Sequence, residues 1–263
     1  MIGRHHVIVG GCVVALGTTA GLLPWSWPEA GLLISGLIIA GSDWPDIDHK
    51  SSSVTSSWGP VTWVLCRITR FVSRRVYVAT RAQHDPKTTD PHRTFTHTWL
   101  GAMFAGVLVT LGLCLNPVVC VATGALMFTV AMRPIDPKLQ WLAAALGGFI
   151  ALELWPVMGT NWHWMMWWTA FTVGCITHVW SDCVTKEGAP LSWPFIFTRE
   201  ERPAKEGESP LARLARPKST KIYRWHKVGP PQWMRFYTGG AVETWVVRFI
   251  VLVTLILCYL LVR

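Results

Sequence analysis

Seven apolar runs separated by charged or turn-rich stretches constrain any fold of this chain: residues 7–23, 30–40, 98–115, 118–132, 139–157, 165–179 and 244–262. Most approach the roughly 20 residues that cross a bilayer as a helix. Charged residues make up only 15% of the 263 positions, against about 25% in a soluble domain. Seventeen Trp suit the aromatic belts of membrane interfaces. The expected fold is all-α: a polytopic transmembrane helical bundle of about seven hydrophobic segments, with a cytoplasmic amphipathic helix and a long basic loop. The competing reading is a very apolar soluble helical enzyme.

The first run follows Arg4, His5 and His6 and lacks a small-residue cleavage site before Pro24, so it is expected to stay as a first span rather than leave as a signal peptide. Gly17 and Gly21 have the spacing of a close helix-packing seam. The second run is short, which implies a tilted helix or one whose end is recessed in the bundle. Between residues 50 and 97, Val61, Leu65, Ile68, Val72 and Val76 recur at helical spacing, with Arg67, Arg70 and Arg74 on another face. That helix suits a membrane interface or a seat on the protein's own bundle. Within 199–227, nine Lys or Arg face four Glu. The expected organisation is a membrane-embedded core over 1–197, a basic cytoplasmic segment over 198–240 and a terminal span over 241–263.

Alternating the runs across a bilayer places the N-terminus, 43–97, 133–138 and 183–240 on one side. That side holds nearly every Lys and Arg, so the positive-inside rule makes it cytoplasmic. The net charge of +9 then reflects these loops and contact with anionic lipid. No recognition module supports a nucleic-acid partner. Eight of the nine histidines fall on the same side; His163 is the exception.

The densest polar cluster closes the second run: Asp43-Trp44-Pro45-Asp46-Ile47-Asp48-His49. A helix C-terminus favours Lys, Arg or Gly, not three Asp. Carboxylates with imidazole suit zinc first, with manganese, iron or magnesium also possible. His92-Arg93-Thr94-Phe95-Thr96-His97 is a second cluster, able to bring both histidines to one site only if it is partly non-helical. Thr96 could cap the following helix, and Arg93 could hold a phosphate. His178 and Asp182 stand at i and i+4, on one helix face. His6 is a further candidate, with His5 as its competitor. Asp43 is read as a ligand, a partner of a ligating histidine or a turn cap. The seven Cys form no CxxC pair and read as small hydrophobes. P-loop, dinucleotide, GxSxG and HExxH motifs are absent.

These motifs resemble a family of bacterial membrane-bound, metal-dependent hydrolases typified by an SOS-regulated inner-membrane protein. The family's opening histidine matches His6. Its Pro-Asp-hydrophobic-Asp-His signature matches 45–49, its His-Arg-x-x-Thr-His signature matches 92–97, and its late pattern matches His178, Asp182, Thr185, Gly188, Pro194 and Phe195. A more distant similarity is to zinc-dependent phospholipases C. The resemblance implies a divalent-metal hydrolase of the bacterial inner membrane. The expected ligands are His6, Asp46, Asp48, His49, His92, His97, His178 and Asp182, with Asp43 as proton acceptor and Arg93 as phosphate clamp. A phosphoester in a membrane lipid or lipid-linked molecule is the expected substrate. The alternative is a non-enzymatic membrane interaction or regulatory protein with a structural metal.

Overall fold

A computed structural model describes residues 2–24, 27–87, 90–160, 163–191, 193–194, 198–199, 222–225, 227–231 and 234–262. Most of the expected basic segment, with His226 and Phe195, lies outside the described residues. Among those described, eight α-helices form: α1 (Gly3–Thr19), α2 (Pro28–Gly41), α3 (Pro60–Thr80), α4 (Trp99–Leu115), α5 (Pro117–Met132), α6 (Gln140–Leu154), α7 (His163–Cys183) and α8 (Ala241–Val262). Short 3-10 turns occupy Trp44–Asp48, Phe95–His97 and Trp155–Val157. A two-residue antiparallel pair, β1 (Thr198–Arg199) with β2 (Ile222–Tyr223), and isolated bridges at Thr185–Phe236 and Ala189–Val228 also form among the described residues.

Local chemistry sets most helix ends. Proline opens α2, α3 and α5, where its missing N–H has no helical partner to lose. Asn116 caps α5 by accepting from Val119 N at 2.9 Å. Thr98, rather than Thr96, caps α4 by accepting from Gly101 N at 3.0 Å; Thr96 is used elsewhere. Gly21 (φ 69°) stops α1, with Leu22 N bonding Gly17 O and Gly21 N bonding Thr18 O, the two bonds of a Schellman stop. The Gly17–Gly21 spacing therefore ends a helix instead of forming a seam, and the space beside Gly17 is filled by Leu23.

The expectation of about seven full spans needs correction. By length and composition, two segments among the described residues suffice to cross a membrane: 140–157 and α8. Helices α2, α4 and α5 have 14, 17 and 16 residues, about 21–26 Å at 1.5 Å per residue, against a hydrocarbon core of about 30 Å. The apolar runs are cut short because their ends carry polar residues. Helix α1 starts with His5 and His6, α2 gives way to the 44–48 turn, and α7 carries His178, Ser181 and Asp182 in its last turns.

Helix α2 is central, packing against α1, α5, α6 and α7, with Leu33 and Leu37 fully buried. Its seam with α7 is backbone on backbone. A Cβ on Gly174 would stand 2.2 Å from Ile38 O, and one on Gly41 would stand 2.5 Å from Phe171 O. Helix α8 packs on α1, where buried Glu243 accepts from Ile2 N at 2.9 Å and pairs with His5 Nδ1 at 2.5 Å. Most of its other large apolar side chains are exposed.

Several apolar residues of α3 face outward: Val61, Val64, Ile68 and Phe71 are exposed, whereas Thr62, Cys66, Ser73 and Tyr77 are buried against the protein and Leu65 and Val76 are half-buried on it. The helix thus seats its small and polar side on the bundle and presents an apolar side to its surroundings. We expect Gly174→Ala to lower thermal stability of the purified protein by about 1–3 kcal/mol, as overpacking does. Gly11→Ala, whose Cβ meets nothing within 4 Å, should leave the melting transition in place or raise it.

Candidate metal centre

Four helix ends meet at one pole of the bundle. The start of α1 brings His6, the turn after α2 brings Asp46, the turn before α4 brings His97, and the last turns of α7 bring His178 and Asp182. His6, His97, His178 and Asp182 are at most 1% exposed.

Each histidine is oriented through its Nδ1. His178 Nδ1 donates to the Ser42 carbonyl at 2.9 Å. The hydroxyl of Ser181 donates to the His178 carbonyl at 2.7 Å, so its oxygen accepts from His6 Nδ1 at 2.7 Å. Thr96 Oγ1 donates to Asp48 Oδ2 at 2.6 Å and accepts from His97 Nδ1 at 3.0 Å. All three rings thereby turn Nε2 inward as the atom that could ligate, the arrangement in which an outer partner fixes a ligand's tautomer.

The Nε2 atoms converge with two carboxylates. His97 Nε2 lies 3.2 Å from His178 Nε2, 3.6 Å from Asp46 Oδ1 and 3.5 Å from Asp182 Oδ2. His178 Nε2 lies 3.5 Å from Asp46 Oδ1 and 3.8 Å from Asp182 Oδ2. A tetrahedral zinc site with bonds of about 2.0–2.1 Å has donor-to-donor edges of roughly 3.3–3.4 Å. The separations among these atoms, 3.2–3.8 Å, lie at or a few tenths of an ångström above that value, and Asp46, His97 and His178 form one group that could hold a metal ion, as do His6, His178 and Asp182. His6 stacks on His178 with ring centroids 3.7 Å apart and reaches Asp182 Oδ1 at 3.5 Å, which places a third imidazole beside the same carboxylate.

The electrostatics agree with the geometry. Burial alone would raise the Asp46 carboxyl, yet the His178 and His97 rings hold it well below the usual carboxylate range. Burial opposes protonation of His97, but Asp182 and Asp46 raise it above an ordinary histidine. The two shifts are the carboxylate's side and the imidazole's side of the same close pairing.

A second group, Asp48, His92 and His97, also has donor atoms within metal-binding reach of one another. Here Asp48 Oδ1 accepts from His92 Nδ1 at 2.7 Å while Oδ2 accepts from Thr96. Asp48 is therefore placed to orient both histidines of the 92–97 segment. That segment brings its histidines together because it is non-helical before residue 95 and turns through Arg93 at φ 57°, a left-handed conformation that a side chain with a Cβ rarely adopts. The rings of His92 and His97 are 5.2 Å apart. His49 faces His92 at 4.8 Å but joins none of the clustered groups among the described residues.

Arg93 is buried, with Nε 3.1 Å from Asp182 Oδ2 and Nη1 bonded to Thr185 Oγ1 at 3.0 Å. Asp43 is buried behind Ser53, which donates to its Oδ2; Asp43 Oδ1 has no hydrogen-bond partner among the described residues. Burial, and then the Asp46 carboxylate, push Asp43 up to about 7 against the pull of Ser53. His5 turns away to Glu243, His84 lies near Tyr223, and His163 lies beside Trp27 near the opposite helix ends. Sequence reasoning missed Ser42, Ser181 and Glu243, since neither a backbone carbonyl acceptor nor a hydroxyl in a helix announces its partner.

A polar cleft of about 540 Å³ opens over this pole, lined by Asp46, His49, Ser53, His92 and Arg93 together with Arg4. A family model described as YdjM inner membrane protein matches residues 1–263. The chain belongs to that family. No curated protein and no solved structure matches it, so the distant likeness to zinc-dependent phospholipases C has no support. Membership in the YdjM family makes the chain an inner-membrane protein and accounts for its outward apolar side chains.

We expect Thr96→Val, which removes the outer partner of His97, to weaken metal affinity by about 10–100-fold, and Ser181→Ala, whose histidine stands beside the Asp182 carboxylate, to weaken it less. His5→Ala should leave zinc affinity unchanged. Competition titration with a chromogenic chelator checks all three; equal affinity in all variants would overturn the orientation scheme.

Proposed function

We propose that this protein is a metal-dependent hydrolase of a phosphoester carried by a membrane lipid or lipid-linked molecule, with zinc as the leading metal and the site at the cytoplasmic face. The observation that carries this reading is the set of 3.2–3.8 Å separations among His97, His178, Asp46 and Asp182, next to a cleft that Asp46 itself lines. A structural metal needs no such access.

In this reading Asp46, His97, His178 and Asp182 hold the ion, with His6 beside Asp182; Asp48, His49 and His92 complete or support the site. When bound, the ion supplies Lewis acidity toward a phosphoryl oxygen and lowers the pKa of a water. Arg93 and Arg4 offer cationic donors to phosphate in the cleft. Asp182 and Thr185 hold the Arg93 guanidinium in place, since an arginine fork binds phosphate only when it is aimed. Asp43 sits behind Ser53, and Ser53 lines the cleft. A proton given up in the cleft passes to Ser53 Oγ as that hydroxyl hands its own to Asp43, whose carboxyl near 7 is matched to accept at neutral pH. The cytoplasmic placement rests on the positive-inside asymmetry of the loops.

The test uses purified full-length protein stripped with chelator and reloaded with zinc, assayed on a chromogenic phosphodiester and on phosphatidylglycerol vesicles. Turnover is expected only in the reloaded protein. His178→Ala and Asp46→Asn should lower it by at least about 10–100-fold, because a ligand matters no less than its outer partner. Stoichiometric zinc without turnover on either substrate would overturn the hydrolase and leave the structural-metal reading.

A further inference from the structure

On the other side of the metal-bearing turns lies an apolar slot of about 170 Å³. Alternate residues separate the two spaces. Asp46 lines the polar cleft, while Pro45 and Ile47 line the slot; His92 and Arg93 line the cleft, while Phe95 and Thr96 line the slot. The inner wall is completed by Ala102 and Cys175. Each part of that wall adjoins a donor: Pro45 and Ile47 flank Asp46, Thr96 precedes His97, and Cys175 stands one helical turn before His178.

The outer rim is exposed. Ile68 and Val72 of α3 and Phe104 and Leu108 of α4 form it, each at least 37% exposed, whereas Ile47 and Cys175 are at most 1% exposed. The slot therefore runs from the apolar surface that an inner-membrane protein turns to lipid down to the back of the metal centre. Its polar side-chain groups are the hydroxyls of Thr69 and Thr96, the Trp44 indole N–H and the Cys175 thiol. Nothing in that lining recognises a headgroup, a peptide backbone or a soluble metabolite. A hydrocarbon chain arriving laterally from the leaflet is the occupant it matches, and the surface of α3 and α4 is continuous with its mouth.

We infer that the slot between α3 and α4 holds a hydrocarbon chain of the substrate lipid, entering from the leaflet and placing the lipid's phosphate-bearing head over the 44–48 turn into the polar cleft. This inference rests on the hydrolase reading above for the word substrate; the slot as a chain-binding site is tested separately. The amphipathic α3, with its apolar face outward, is then one jamb of a lateral entrance.

The experiment reconstitutes the full-length, zinc-loaded protein in vesicles of phosphatidylglycerol that include a phosphatidylglycerol bearing a diazirine at the end of one acyl chain. After illumination, modified residues are mapped by peptide mass spectrometry. Label is expected on Leu65 and Phe95, half-buried residues of the slot wall, as well as on the exposed face of α8. Ala105→Trp, which fills the slot, and Val72→Trp, which narrows its outer wall, should each cut label on Leu65 and Phe95 at least about fivefold. Zinc content and label on α8 should stay constant, and this control identifies a variant that has failed to fold. Absence of label at Leu65 and Phe95 in the wild type, or unchanged label in both folded variants, would overturn the slot. Slot labelling in protein that turns over no phosphatidylglycerol would instead overturn its role as substrate site, through failure of the hydrolase reading.

Discussion

The Ser42 carbonyl lies 2.9 Å from His178 Nδ1, and that contact exists because no side chain separates α2 from α7 along the Gly41–Gly174 seam. A single methyl group there would collide with a backbone oxygen. The seam sets the height of α7 against α2, and so the position of His178 relative to Asp46, which follows the end of α2 by a few residues. Metal-ligand geometry tolerates little error, and a seam of rigid backbone meets that demand better than one of flexible side chains. The other donors are positioned from this pair: His6 by stacking on His178, and His97 by facing both Asp46 and His178.

Gathering so many polar groups inside an apolar bundle is unfavourable unless they satisfy one another. The hydroxyls of Ser181, Thr96 and Ser53 do much of that, each donating to one acceptor and, for the first two, accepting from a histidine. Arg93 offsets the Asp182 carboxylate from the outer side. The carboxylates of Asp46 and Asp182 then stand within 3.8 Å of the His97 and His178 imidazoles, a donor set able to hold a divalent cation. The 44–48 turn lines a polar cleft on one side and an apolar slot on the other, because a 3-10 segment of alternating Asp and apolar residues turns the two kinds of side chain in different directions.

Much of the candidate site was legible in order along the chain. Carboxylates crowded after an apolar run, a histidine pair before another run and an i, i+4 His/Asp pair at a helix end each conflict with ordinary helix-end chemistry, so each stood out locally. Choosing His6 over His5 required the family resemblance, since adjacent residues on a helix differ only in direction; the fold turns His5 to Glu243 on α8, a partner more than two hundred residues away. Thr96 looked like a helix cap because the capping preference for Thr does not distinguish it from Thr98 two positions later. Hydropathy overcounted full spans because it averages over windows and does not register where a 3-10 turn or a buried histidine ends a helix.

Composition and periodicity by themselves determined that this chain is helical and membrane-associated, and that its His and Asp motifs gather at one end of the bundle, because burial preference and helical spacing are local properties. Tertiary structure decided the separate roles within the 43–49 cluster. Of its carboxylates, Asp46 stands within 3.6 Å of the His97 and His178 rings, Asp48 accepts from His92 and Thr96, and Asp43 lies buried behind Ser53. Three aspartates within six residues are chemically alike in sequence; only the turn's handedness and the helices packed around it give each a different neighbour.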